Sequence, residues 1–205
     1  MWILLIGLGG GITGWIMSRL IDRKTGENRR AETLVTVALS AAVPAALVIR
    51  FHGAGAPALT YGILSVVLTG VSVFDLRKKL IPHWVTVPGT LAGIAVSTWV
   101  LPSGFRNSIA GALAGAGILL FTTLVEAVRH KDIGGGDWKL AAMIGSFVGP
   151  RKVIVAMISG GLAGVVAGLV VARRAAARRA AARRALPAAL GPYLSAGAIV
   201  SMFWN

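Results

Sequence analysis

The chain has 205 residues, of which 56% are hydrophobic and only 14% are charged, and its mean hydropathy is +0.77. This composition is too apolar for an ordinary soluble domain. The net charge of +14 could indicate a nucleic-acid partner, but the Lys and Arg residues stand in short blocks between long apolar runs. The sequence contains no cysteine, which excludes disulfides, thiolate zinc sites and cysteine nucleophiles. We therefore predict an all-α membrane protein.

Eight apolar runs predict a polytopic bundle of about eight transmembrane helices, with seven as the alternative count. The sixth run is short, since at about 1.5 Å per residue it reaches only about 20 Å, and we expect it to cross as a short true span. No basic residue precedes the first run, so we expect a retained span rather than a signal peptide. The runs are Trp2–Leu20, Thr33–Ile49, Ala58–Asp75, Trp84–Leu101, Asn107–Val128, Asp137–Gly149, Val153–Ala172 and Leu186–Trp204.

The positions of the basic residues predict the topology. With the N-terminus outside, seventeen Lys and Arg residues lie in inner loops or at inner helix ends, and four lie on the outer side. Cytoplasmic loops are enriched in Lys and Arg, so this asymmetry favours eight spans. In this topology residues 21–32 form a short cytoplasmic loop, and all seven acidic residues of the chain lie at the cytoplasmic face or at inner helix ends.

The segment 173–185 repeats Arg-Arg-Ala-Ala-Ala with a period of five. This period rotates the arginine pairs around a helix instead of keeping them on one stripe. Each arginine next to a membrane span adds about 1 kcal/mol of attraction to anionic lipid. We interpret the segment as a cytoplasmic loop that binds anionic lipid, and we expect no nucleic-acid partner.

Two aspartates lie at the predicted cytoplasmic edge. Asp75 ends the third apolar run, and Asp137 follows three glycines and begins the sixth run. Carboxylates near membrane depth are costly and are often functional. Two simpler explanations stay open: Asp137 could cap a helix N-terminus, and Asp75 could pair with Arg77 or Lys79.

The residues around both aspartates resemble the prepilin peptidases, a family of membrane aspartyl peptidases. Gly134-Gly135-Gly136-Asp137, followed by Trp138-Lys139-Leu140, resembles the GxGD signature, with Gly134 and Gly136 as its glycines. Asp75, the basic run Arg77–Lys79 and Ile81-Pro82-His83 resemble the other half of the site, with His83 in place of the usual asparagine. The Gly191-Pro192 segment is similar to the final helix of the family.

The resemblance implies one membrane-embedded peptidase domain over residues 1–205, with Asp75 and Asp137 as its catalytic residues. It implies cleavage of the leader of prepilin-like substrates at the cytoplasmic face of a prokaryotic plasma membrane. Bifunctional relatives carry a cytoplasmic domain with cysteine pairs after the first span, whereas here residues 21–32 connect the first two spans. N-methyltransferase activity is therefore not expected.

Three further expectations complete the sequence-based interpretation. Helix dipoles favour Asp137 as the ionised base and Asp75 as the protonated acid, whereas the basic run Arg77–Lys79 favours an ionised Asp75, so both assignments stay open. We expect neither a cofactor nor a metal, because His83 and His130 have no third ligand at metal spacing. A proton-coupled transporter is the alternative function, although transport carboxylates usually lie near the membrane midplane.

Overall fold

The computed structural model describes residues 2–25, 30–53, 55–101, 104–128, 136–177 and 190–204. These residues form seven α-helices and no strand. Four of the helices are long and apolar enough to cross a membrane, so the prediction of an all-α membrane bundle is confirmed. The helices are α1 (Trp2–Thr25), α2 (Arg30–Arg50), α3 (Ala56–Lys78), α4 (His83–Trp99), α5 (Gly104–Val128), α6 (Asp137–Ala177) and α7 (Gly191–Phe203).

Two boundaries differ from the sequence-based prediction. The segment 21–32 is predicted as a loop, but α1 continues to Thr25 and α2 begins at Arg30. The polar ends of both helices thus extend beyond their apolar runs, and the end of α1 is held by an ion pair that Asp22 forms with α3. The last helix begins at Gly191, while residues 186–189 of the predicted last run lie outside the described residues.

Helix α6 contains both the sixth and the seventh predicted spans. Gly149 interrupts it with φ of 80° and ψ of 174°, a conformation that glycine adopts without steric cost. The halves on either side lie next to each other, because the Ala141 carbonyl and the Val153 side chain both adjoin Gly115 of α5. In a straight helix residues twelve apart would be about 18 Å apart. The chain therefore turns back at Gly149, and the number of membrane crossings stays a prediction.

Two serines stabilise this turn. Pro150 has no N–H to donate to the carbonyl four residues earlier, which belongs to Ser146. The hydroxyls of Ser97 and Ser108 donate to that carbonyl instead, with O···O distances of 2.9 Å and 2.6 Å. A buried carbonyl without a partner would be costly, so α4 and α5 satisfy the hydrogen-bonding capacity that the proline removes from α6.

The helices form two groups that α7 joins. Helices α1, α2 and α3 pack against one another, as do α4, α5 and α6, and α7 packs against both α3 and α6. Small residues bring the backbones close within each group, such as Gly10 against the Ser40 carbonyl and Gly111 against Gly145. The buried core runs through both groups and includes Leu68 of α3, Ile144 of α6 and Met202 of α7. The interface between the groups is thus built around α7.

Candidate active site

Asp75 lies in the last turn of α3, at the interface with α7. The helix ends at Lys78, and Lys79 adopts a left-handed conformation with its N–H donating to the Asp75 carbonyl at 2.7 Å. The Asp75 residue is only 4% exposed. Its Oδ2 accepts a hydrogen bond from the backbone N–H of Gly191 at 2.9 Å. The carboxylate is therefore fixed by a helix that lies 116 residues further along the chain.

Gly191 leaves the space that this contact needs. It is the first residue of α7, where backbone N–H groups have no partner within the helix. A Cβ atom at this position would lie 2.6 Å from Asp75 Oδ2 and 3.1 Å from its Cγ, which is too close for any side chain. Asp75 thus caps α7 from another helix, and only glycine permits the approach.

The nearest basic residue along α3 has another partner. Arg77 Nη1 donates to Asp22 Oδ1 of α1 at 2.6 Å, and both side chains are largely buried. Among the described residues, the hydrogen-bond donor to the Asp75 carboxylate is Gly191. The simpler explanation that Asp75 serves to pair with Arg77 is therefore not supported.

Asp137 lies in the first turn of α6, and Gly136 occupies the capping position before it. The Gly136 carbonyl accepts from the Lys139 and Leu140 N–H groups at 3.1 Å and 3.2 Å, as the residue at a helix N-cap does. The simpler explanation that Asp137 is the N-cap residue is thus wrong by one position. The first turn nevertheless favours a carboxylate through the helix dipole. Gly134 and Gly135 lie outside the described residues.

Gly136 also connects the two halves of the motif. A Cβ atom at Gly136 would lie 2.8 Å from the Cβ of Ile81, so the glycine lets α6 begin directly against the segment between α3 and α4. Ile81 is buried and lies six residues after Asp75. Next to this contact, Lys139 Nζ lies 3.3 Å from His83 Nδ1. The GxGD segment and the Ile-Pro-His segment are therefore in contact.

The two aspartates lie at the same end of the bundle. Since α6 turns back at Gly149, residues about twelve positions before and after the turn are at a similar level. Gly160, on the returning half, packs against the Tyr193 backbone of α7. Tyr193 is two residues from Gly191, which binds Asp75. The contacts of α6 with α7 therefore place the start of α6 at the level of Asp75, in agreement with the Ile81 contact.

The structure identifies Gly191 as a further residue of the site and removes the helix-dipole argument for the roles of the two aspartates. The Gly191 contact with Asp75 was not predicted, since a pair 116 residues apart leaves no local signal. The only sequence indication was a glycine before a proline at a helix start. Because Asp75 also adjoins a helix N-terminus, the dipole argument no longer distinguishes it from Asp137. Within the described residues, no three His, Asp or Glu side chains are grouped so that they could hold a metal ion.

Curated relatives of this chain carry the name prepilin leader peptidase/N-methyltransferase. The Burkholderia pseudomallei protein is 29% identical over 172 residues, which are 81% of this chain and 52% of the relative. The Xanthomonas campestris protein is 29% identical over 194 residues, or 93% of this chain and 65% of the relative. The Myxococcus xanthus protein is 30% identical over 112 residues. This chain thus spans between half and two thirds of the length of the first two relatives.

The comparison with solved structures gives no match. The model of the type IV leader peptidase family matches residues 62–169, which is more than half of the chain. This range contains Asp75, the Ile81 segment and Asp137. The chain therefore belongs to the type IV leader peptidase family.

Proposed function

We propose that this protein is an aspartic endopeptidase that removes the leader peptide of prepilin-like substrates, with Asp75 and Asp137 as its catalytic pair. The observation that carries the proposal is the contact of Gly136 with Ile81, because it joins the segments that follow Asp75 and precede Asp137. The names and the family of the relatives agree with this activity. No finding favours the alternative of a proton-coupled transporter.

The proposed reaction needs two carboxyl groups in different protonation states. One ionised carboxylate takes a proton from the attacking water, and the other, protonated, donates to the scissile carbonyl and then to the leaving amine. The Gly191 N–H donates to Oδ2 of Asp75 and holds the carboxyl group in one orientation. This fixed orientation reduces the rearrangement needed at the moment of reaction.

The placement in the cell belongs to the same proposal. We propose a prokaryotic plasma membrane, the N-terminus outside and the aspartates facing the cytoplasm, as the basic residues favour. The segment 173–185 would bind anionic lipid there without a role for nucleic acid, and residues 178–185 lie outside the described residues. We propose no methyltransferase activity, because α1 and α2 are separated by only four residues.

The activity can be tested by leader removal. A prepilin-like substrate is co-expressed with the wild-type protein, with Asp75→Asn or with Asp137→Asn, and the loss of the leader is followed by gel shift. We expect both variants to lose at least 100-fold in rate, in line with the effect of removing a general acid or base. Thr60→Ala is the control, because its exposed hydroxyl donates to the Ala56 carbonyl of the same helix and lies fifteen residues before Asp75. Undiminished cleavage by either catalytic variant would refute the pair.

A further inference from the structure

An apolar groove lies beside the candidate active site, between α2, α3 and α7. It has a volume of about 580 Å³, and its lining includes Leu39 of α2, Leu76 of α3 and Val200 of α7. It begins next to the Asp75 contact, since Leu76 follows Asp75 and the lining residue Pro192 follows Gly191. Along α7 the lining reaches Val200, so at about 1.5 Å per residue the groove is roughly 12 Å long. This is about two turns of a helix.

A buried hydroxyl without a partner lines the groove. Ser195 is 2% exposed, and its Oγ has no hydrogen-bond partner among the described residues. The neighbouring hydroxyls of the groove behave differently, since Ser72 donates to the Leu68 carbonyl at 2.7 Å and Thr69 to the Ser65 carbonyl at 2.8 Å. An unsatisfied buried hydroxyl costs free energy, so Ser195 indicates a ligand that carries a polar group at this depth.

We propose that this groove binds the apolar helix of the substrate, on the carboxyl side of the scissile bond, and that Ser195 is a positioning residue. This inference rests on the proposed function. The first four N–H groups of any helix have no partner within it. A substrate helix that begins just after the scissile bond would bring these groups to the end of the groove next to Asp75. Ser195 lies one helical turn, about 6 Å, from Gly191, where its Oγ accepts one of them.

A lipid chain fits the groove less well. Leu39, Leu76 and Val200 are about half exposed or more, so the groove is open to the bilayer from the side. The hydrocarbon tail of a lipid could fill it, but this tail has no donor or acceptor to offer Ser195. A peptide helix supplies both the apolar surface and the N–H group. The groove also reaches the end of α3 that carries Asp75. A substrate helix bound in it would therefore begin next to the proposed catalytic residue.

The absence of cysteine from the sequence permits a direct test by disulfide mapping. Leu39→Cys and Val200→Cys place a thiol in the groove, and Leu113→Cys and Leu162→Cys place one on exposed positions of α5 and α6 outside it. Each is combined with Asp137→Asn to retain the substrate, which carries one cysteine seven residues beyond the scissile bond. After oxidation in membranes, we expect at least ten times more disulfide-linked substrate from the two groove positions.

The same cysteine variants with Asp137 intact separate this inference from the proposed function. If the leader is cleaved but the groove positions form no more disulfide-linked substrate than the control positions, the groove is not the docking site and the peptidase activity is unaffected. Groove-specific disulfides without cleavage support the docking site and refute the peptidase. For Ser195→Ala we expect KM to rise about fivefold with kcat unchanged, as the loss of one neutral hydrogen bond predicts. The control Ser201→Ala, whose Oγ donates to the Ala198 carbonyl of the same helix, should leave KM unchanged, and an unchanged KM in Ser195→Ala overturns its role.

Discussion

Close contacts at glycines occur in both three-helix groups, but each group adds polar contacts of a different kind. In the group of α1, α2 and α3, a buried ion pair between Asp22 and Arg77 joins the helices at the end that carries Asp75. In the group of α4, α5 and α6, backbones touch through Gly111 and Gly145, and serine hydroxyls satisfy the carbonyl next to the turn. The first group has an open groove where it meets α7. We infer that the second group serves as the framework and that the first group, together with α7, provides the surface for substrate.

The ion pair should give the largest effect on stability. Asp22→Asn removes the carboxylate from a buried Arg77 guanidinium, and breaking such a pair costs about 3 kcal/mol or more. We expect a clear loss of thermal stability in detergent, measured by the midpoint of unfolding. The double variant Asp22→Leu with Arg77→Met should recover part of it, because a well-packed apolar pair often replaces a buried ion pair without loss. An unchanged midpoint in Asp22→Asn would show that the pair does not hold the first group together.

The contact of Gly191 with Asp75 should affect activity more than stability. Gly191→Ala would press a methyl group against the Asp75 carboxylate and displace it. A displacement of about 1 Å at a catalytic group can reduce the rate about 100-fold. Leader cleavage by purified protein measures the effect, with Gly161→Ala as the control because a Cβ there meets no other atom within 4 Å. Equal rates in the two variants would contradict a role for Gly191 in fixing Asp75.

The close packing of α5 and α6 should affect stability and leave the site intact. A Cβ at Gly145 would overlap the Gly111 backbone, whereas a Cβ at Gly117 meets nothing within 4 Å. Overpacking of this kind costs about 1–3 kcal/mol. We expect Gly145→Ala to lower the unfolding midpoint and Gly117→Ala to leave it unchanged or raise it slightly, since alanine favours the helix. Equal unfolding midpoints of the two variants would show that α5 and α6 accommodate the added methyl group without a loss of stability.

The sequence could predict what depends on composition and local pattern. Each of the seven described helices overlaps a predicted apolar run, with two of the eight runs in α6, and both aspartates lie at helix ends as the residues around them indicate. The sequence could not predict contacts between distant helices. The Gly191 contact with Asp75, the Arg77 pair with Asp22 and the unpartnered Ser195 arise from packing. The continuation of α1 to Thr25 was missed because polar helix ends resemble loops when only hydropathy is considered.

Variants at the turn at Gly149 should have the smallest effect on stability, and they test how the Ser146 carbonyl finds its hydrogen-bond donors. Ser97 and Ser108 both donate to the Ser146 carbonyl, so Ser97→Ala or Ser108→Ala alone still leaves it one donor. Each single variant should therefore cost no more than about 1 kcal/mol. The double variant leaves a buried carbonyl unsatisfied and should cost more than the sum of the two, by roughly 1 kcal/mol.

Unfolding midpoints of the four proteins in the cycle measure this coupling, with Thr98→Ala as the control because its hydroxyl is exposed and bonds within α4. Strictly additive losses would show that each serine stabilises the turn independently, for instance through its own packing, and that the carbonyl left by Pro150 finds another donor.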